Sequence, residues 1–140
     1  DYEPPRGGEV FISVNDGDKR NITAIARSIA RLGFSLVATT GTARALRASG
    51  IECEEVGKIH AGSHTILDRI ASGEIVLMIN TPFGSSTNTD GYEMRAACVR
   101  HGVSYCTTLA GAQALIAGME AVRETGLDVI ALQDLPQWEG

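Results

Sequence analysis

The run Val37-Ala38-Thr39-Thr40-Gly41-Thr42 sets threonine hydroxyls and a glycine where an apolar strand gives way to a helical pattern. The first N–H groups of a helix have no internal partner, and the dipole there favours negative charge. Gly41 lets backbone approach a ligand closely, and the hydroxyls add donors. This is the chemistry of a phosphate cradle. Two other strand ends share the character: Asn80-Thr81-Pro82, and Ser13-Val14-Asn15 with Lys19 following. Lys58 stands in a loop beyond a further strand. Several strand ends carrying oxyanion-binding groups point to one site. Thr39 and Thr42 also read as plain helix-start residues, and Asn80 as a strand-ending turn residue.

The elements that must position these groups follow from periodicity. Strands are expected at Val10–Val14, Ser35–Ala38, Ile51–Val56, Ile75–Ile79, Val103–Cys106 and, as a last edge, Val129–Leu132. Asp16-Gly17-Asp18 reads as a turn and helix start, and Ile22, Ile25, Ala26, Ile29, Ala30 and Leu32 then recur at helical spacing. Further helices are expected over Thr42–Ala48, Ser63–Ser72, Glu93–Arg100 and Leu109–Arg123, with a polar loop over Asn80–Asp90. Gly33, Gly50, Gly73 and Gly102 read as helix stops. Such alternation predicts an α/β fold: a doubly wound, Rossmann-like parallel sheet of about five strands flanked by helices. Ligands bind such sheets at the carboxyl ends of the strands. Residues 1–8 read as a linker or tail, 9–135 as one domain and 136–140 as a C-terminal tail.

Composition narrows the function classes. The 140 residues carry a formal net charge of −5 and a pI near 5.1, which excludes a general nucleic-acid surface. Apolar runs fall well short of the ~20 residues that span a bilayer, and no signal-peptide pattern opens the chain. Cys53, Cys98 and Cys106 are odd in number and widely spaced, which fits a reducing, cytoplasmic setting and offers no metal motif. Cys98, beside Ala96 and Ala97, reads as core. His60 and His64 read as surface or capping residues, His101 as a helix-end cation, and Arg95 and Arg100 as a solvated face or an interface.

Two groups of motifs carry a family resemblance. Phe11-Ile12-Ser13-Val14 with Asp18-Lys19, Leu32-Gly33-Phe34 and Ala38-Thr39-Thr40-Gly41-Thr42-Ala43 are similar to the methylglyoxal-synthase-like domain superfamily. Val56-Gly57-Lys58-Ile59-His60, Ile79-Asn80-Thr81-Pro82 and Tyr105-Cys106-Thr107-Thr108-Leu109-Ala110-Gly111-Ala112 narrow the match. Together, over about Glu9–Leu135, they resemble the C-terminal allosteric domain of the large subunit of carbamoyl-phosphate synthetase. The resemblance implies a non-catalytic domain that binds nucleotide monophosphates, with UMP as inhibitor and IMP as activator, and also ornithine. Carried over, the phosphate site comprises Lys19, Thr39, Thr42, Lys58, Asn80 and Thr81, with Ser13 nearby. Tyr105 and Thr107 match ornithine-site positions; Cys106 stands where the enteric form has an aspartate, removing a charge partner for an amino group. The domain itself would need no cofactor. The full enzyme of pyrimidine and arginine biosynthesis would use ATP with magnesium and potassium, a catalytic core in the same chain and a glutamine amidotransferase small subunit, with homo-oligomer contacts.

The competing class is an enzyme of the methylglyoxal synthase type, which eliminates phosphate from dihydroxyacetone phosphate. That chemistry needs a carboxylate base. The stretch matching the family's base, Ala61-Gly62-Ser63-His64, has no carboxylate, and the family's catalytic histidine falls near Asn88 and Thr89. A third relative, the inosine monophosphate cyclohydrolase domain, shares the Ser-Val start and the Thr-Gly-Thr turn but carries an Asp-Gly-Arg-Val-Lys-Thr-Leu-His-Pro run absent from this chain.

Overall fold

Strand β1 (Glu9–Ser13) is the axis of the molecule. In the computed structural model, which describes residues 8–56, 66–81 and 89–125, it is flanked by β2 (Ser35–Thr39) and β4 (Ile75–Asn80). Beyond these lie the short strands β3 (Glu54–Val56) and β5 (Ser104–Cys106), giving the order β3-β2-β1-β4-β5. Every pairing is parallel. The connecting helices are α1 (Ile22–Arg31), α2 (Thr40–Ala48), α3 (Ile66–Ala71), α4 (Thr89–His101) and α5 (Leu109–Thr125). None is long and apolar enough to cross a membrane among the described residues.

The sheet is buried on both faces, which explains its near-continuous apolar strands. Alternate residues of β1 serve opposite cores. Val10 and Ile12 pack with Ile22, Ile29, Leu46 and Ile116 under α1, α2 and α5. Phe11 packs with Ile66, Ile70, Met94 and Cys98 under α3 and α4. The β1–β4 register shifts between Glu9 and Val10, so Ile75 joins the α3/α4 core although Leu77 and Ile79 face the other way. Gly8 makes room for this irregularity: a Cβ there would stand 2.7 Å from Val76 Cγ1. Positive φ angles at Gly33, Gly50, Gly73 and Gly102 end α1 to α4, as expected of these glycines.

Several boundaries move from the sequence expectation. Asp16–Asp18 forms the expected turn, a 3-10 one, but does not start α1, because Asn15 Oδ1 accepts the Asp18 N–H and spends the cap there. The first helix therefore begins at Ile22. Helix α2 begins two residues earlier than expected, and α4 begins inside the expected polar loop. Ile51–Cys53 lies outside β3, although Ile51 is buried in the α1/α2 core. Expected strand Val129–Leu132 and residues His60, Ser63, His64 and Pro82 lie outside the described residues.

An unforeseen ion pair ties the N-terminal ends of the strands together. Arg69, at the end of α3, reaches Glu54 of β3 at 2.6 Å and Glu9 of β1 at 3.1 Å, spanning β2. Its side chain is only 12% exposed.

Candidate functional site

The connections leave β1 toward β2 on one side and return to β4 on the other, so the strand order switches at β1. A crevice at the carboxyl end of the strands is the expected ligand position in such a sheet. There Ser13 pairs in register with Asn80, and Ile12 with Ala38, which brings Thr39 beside Ser13. Thr39 Oγ1 donates to Ser13 Oγ at 3.1 Å. Neighbouring strands lie about 4.8 Å apart, so Thr39 and Asn80, two strands apart, are separated by roughly 10 Å. That span suits a single small ligand.

Thr39 is the N-cap residue of α2, yet its side chain makes no capping bond. Its hydroxyl is turned to Ser13, and the first-turn amides of α2 go without that cap. The capping interpretation of Thr39 is thus replaced by one in which its side chain belongs to the strand-end cluster.

Thr42 and Thr81 have a different role. Val14 N–H donates to Thr42 Oγ1 at 3.1 Å, and Asn15 N–H donates to Thr81 Oγ1 at 2.9 Å. Thr81 N–H in turn donates to Ser13 O at 3.0 Å. Both threonines are almost fully buried. They grip the segment that leaves β1, one from α2 and one from the end of β4.

Lys19 closes this arrangement. Its ammonium donates to Val14 O at 3.1 Å and to Asp16 Oδ1 at 2.7 Å. Its Cε lies 3.2 Å from the place where a Cβ on Gly41 would stand. A glycine in the first turn of α2 therefore lets the lysine lie across the helix N-terminus. On the far side, Asn80 Nδ2 donates to the Tyr105 hydroxyl at 2.8 Å. The Arg95 guanidinium sits 5.3 Å from the Tyr105 ring centroid, a cation–π arrangement.

Ser13, Lys19, Thr39, Thr42, Asn80 and Thr81 are thus brought together, with Tyr105 adjoining through Asn80. Thr107 is half-buried in the turn after β5, and Lys58 lies outside the described residues. Cys106 faces away from Tyr105, packing on the α1/α5 core, and burial raises its thiol pKa. Sequence reasoning missed two participants. Asp16 was expected only to form a turn and helix start, although its i,i+3 spacing to Lys19 is a signal for an ion pair. Arg95 was expected on a solvated face or interface, and its stacking on Tyr105 depends on a contact between α4 and β5 that no local pattern encodes. Among the described residues no three His, Cys, Asp or Glu side chains form a metal-holding group. A separate cleft of about 860 Å³, lined in part by Arg27, Arg31, Phe34, Glu52 and Glu54, opens at the other end of the sheet.

Comparison with known proteins identifies the family of this fold. Residues 21–107 match the family model of the MGS-like domain. The chain is 49% identical over 135 residues to the C-terminal section of the carbamoyl phosphate synthase large chain of Methanopyrus kandleri, covering 96% of this chain and 25% of that one. It is 42% identical over 130 residues to the large chain of Myxococcus xanthus, and 44% over 137 residues to that of Corynebacterium glutamicum. These alignments cover 93% and 94% of this chain but 12% of each relative, so the chain spans a small part of the proteins it resembles. Among solved structures, methylglyoxal synthase from Elizabethkingia anophelis superposes with a TM-score of 0.62 at 18% identity, over 80% of this chain and 78% of that one. ForH superposes with a TM-score of 0.63 at 20% identity, over 86% and 82%. At those identities the likeness speaks for the fold. With the family model matched over more than half its length and these large chains as relatives, this chain belongs to the MGS-like domain family.

Proposed function

We propose that this domain is the effector-binding end of a carbamoyl phosphate synthase large chain, and that it binds the phosphate of a nucleoside monophosphate at the carboxyl ends of β1, β2 and β4. The observation that carries this reading is the position of Lys19. Its ammonium lies over Gly41 at the N-terminus of α2 and on the carbonyl of Val14, next in sequence to Ser13, which bonds Thr39 and pairs in register with Asn80. A phosphate monoester carries about −1.5 to −2 charges near neutrality, and helix amides, hydroxyls and an ammonium are the donors that stabilise it. Lys58 supplies a second ammonium in this reading. Thr42 and Thr81 hold the backbone that presents the donors. UMP and IMP share the phosphate subsite and differ in how the base settles; ornithine is taken near Tyr105 and Thr107.

The domain performs no chemistry in this reading. It acts by differential binding: an effector must prefer one arrangement of the domain against its catalytic core in order to alter activity there. That core, in the same chain and working with a glutamine amidotransferase subunit in the cytoplasm, would form carbamoyl phosphate from bicarbonate, glutamine or ammonia, and ATP. Calorimetric titration of the chain with UMP, and in parallel with IMP, tests the proposal. Micromolar one-to-one binding competed by inorganic phosphate is expected. No heat with either nucleotide rejects the assignment. Phosphate release from dihydroxyacetone phosphate would reject the non-catalytic reading.

A further inference from the structure

The ammonium expected to meet the phosphate is already engaged by a carboxylate. Lys19 Nζ stands 2.7 Å from Asp16 Oδ1, and the Asp16 side chain is 99% exposed. Among the described residues this is the one hydrogen bond of that side chain. The fold has no need of it: the 3-10 turn is capped by Asn15, and Lys19 is held independently by Val14 O and by its packing across Gly41. Asp16 therefore neither supports the core nor anchors the lysine. What it does is neutralise a charge at the mouth of an anion site.

We propose that Asp16 is an internal counter-ion for Lys19, displaced when a phosphate enters, and that it sets the affinity of the site. The inference rests on the phosphate-binding reading above. An arriving anion must outcompete a carboxylate that costs no translational freedom to bring in. A dianionic phosphate monoester offers more charge and more acceptor oxygens than a carboxylate and can do so; a singly charged anion offers no such advantage.

The test is calorimetric titration of the chain and of Asp16→Asn with UMP and with dimethyl phosphate, a monoanion. Asp16→Asn keeps the shape and removes the charge; a thermal melt checks that it folds like the parent. UMP is expected to bind the variant about three- to tenfold more tightly, as relief of a partly screened like-charge contact allows. Dimethyl phosphate, with a single charge, should gain by a smaller factor. The UMP gain should vanish in a Lys19→Ala background and be smaller for Asp18→Asn, which removes the same charge from the same turn. Tight parental binding with unchanged or weakened affinity in Asp16→Asn overturns the counter-ion while leaving the site intact. A gain that persists without Lys19 also overturns it, as a general charge effect. If neither protein binds UMP or inorganic phosphate, the site and the counter-ion fall together.

Discussion

Thr39 and Thr42 stand three residues apart, yet one hydroxyl serves the cluster and the other the backbone. Thr42 Oγ1 accepts the buried Val14 N–H, so Thr42→Val strands that amide. A buried donor left unsatisfied costs about 1–3 kcal/mol, and urea unfolding should register a loss of that size. Thr39→Val removes a half-buried hydroxyl that bonds only to another hydroxyl among the described residues. It should leave the unfolding midpoint nearly unchanged and weaken UMP binding severalfold. Cys98 gives a second residue-level expectation. Burial against Met78 pushes its thiol up to about 11, from an ordinary 9.0. Because the folded value is the higher one, its contribution to stability is complete below the ordinary value and is lost as pH rises toward the folded one. Denaturant midpoints followed into that alkaline range should fall more steeply in the parent chain than in Cys98→Ala.

At the scale of elements, the helix stops and the central strands were legible because each rests on a local cause. Gly33, Gly50, Gly73 and Gly102 sit at positive φ, where other residues are strained, and Ile75–Ile79 has the unbroken apolar run of a strand covered on both sides. The strand-end polar groups were legible for the same reason: Ser13, Thr39 and Asn80 interrupt apolar runs. Contacts between distant elements were not. Nothing near Arg69 in sequence announces Glu9, sixty residues away, or Glu54. Nor does the Asp16-Gly17-Asp18 motif reveal that Asn15 will take the cap and postpone α1 to Ile22. The Arg69 contacts join α3 to two strands, so their loss should be felt by the sheet as a whole. Arg69→Ala should cost about 1–2 kcal/mol by urea unfolding, between the values usual for exposed and for buried pairs, and Glu54→Gln less, since Glu54 is half-exposed.

At the scale of the whole molecule, the domain divides at β1 into two halves. One holds β2, β3 and α2; the other holds β4, β5 and α4. The Val14–Asn15 segment is the place where both halves take hold of the same few atoms. Adjacent amides there answer to different owners: Val14 N–H to Thr42 of the first half, Asn15 N–H to Thr81 of the second. They form a built-in pair of gauges, one peptide bond apart, for the two sides of the crevice. Amide hydrogen exchange reads such gauges directly, since an amide exchanges when its own bond opens. An effector that grips only the α2 side should slow exchange at Val14 and leave Asn15 alone. One that draws the two halves together should slow both in step, and the ratio of the two rates then reports, without any catalytic core attached, whether UMP and IMP load the domain from the same side.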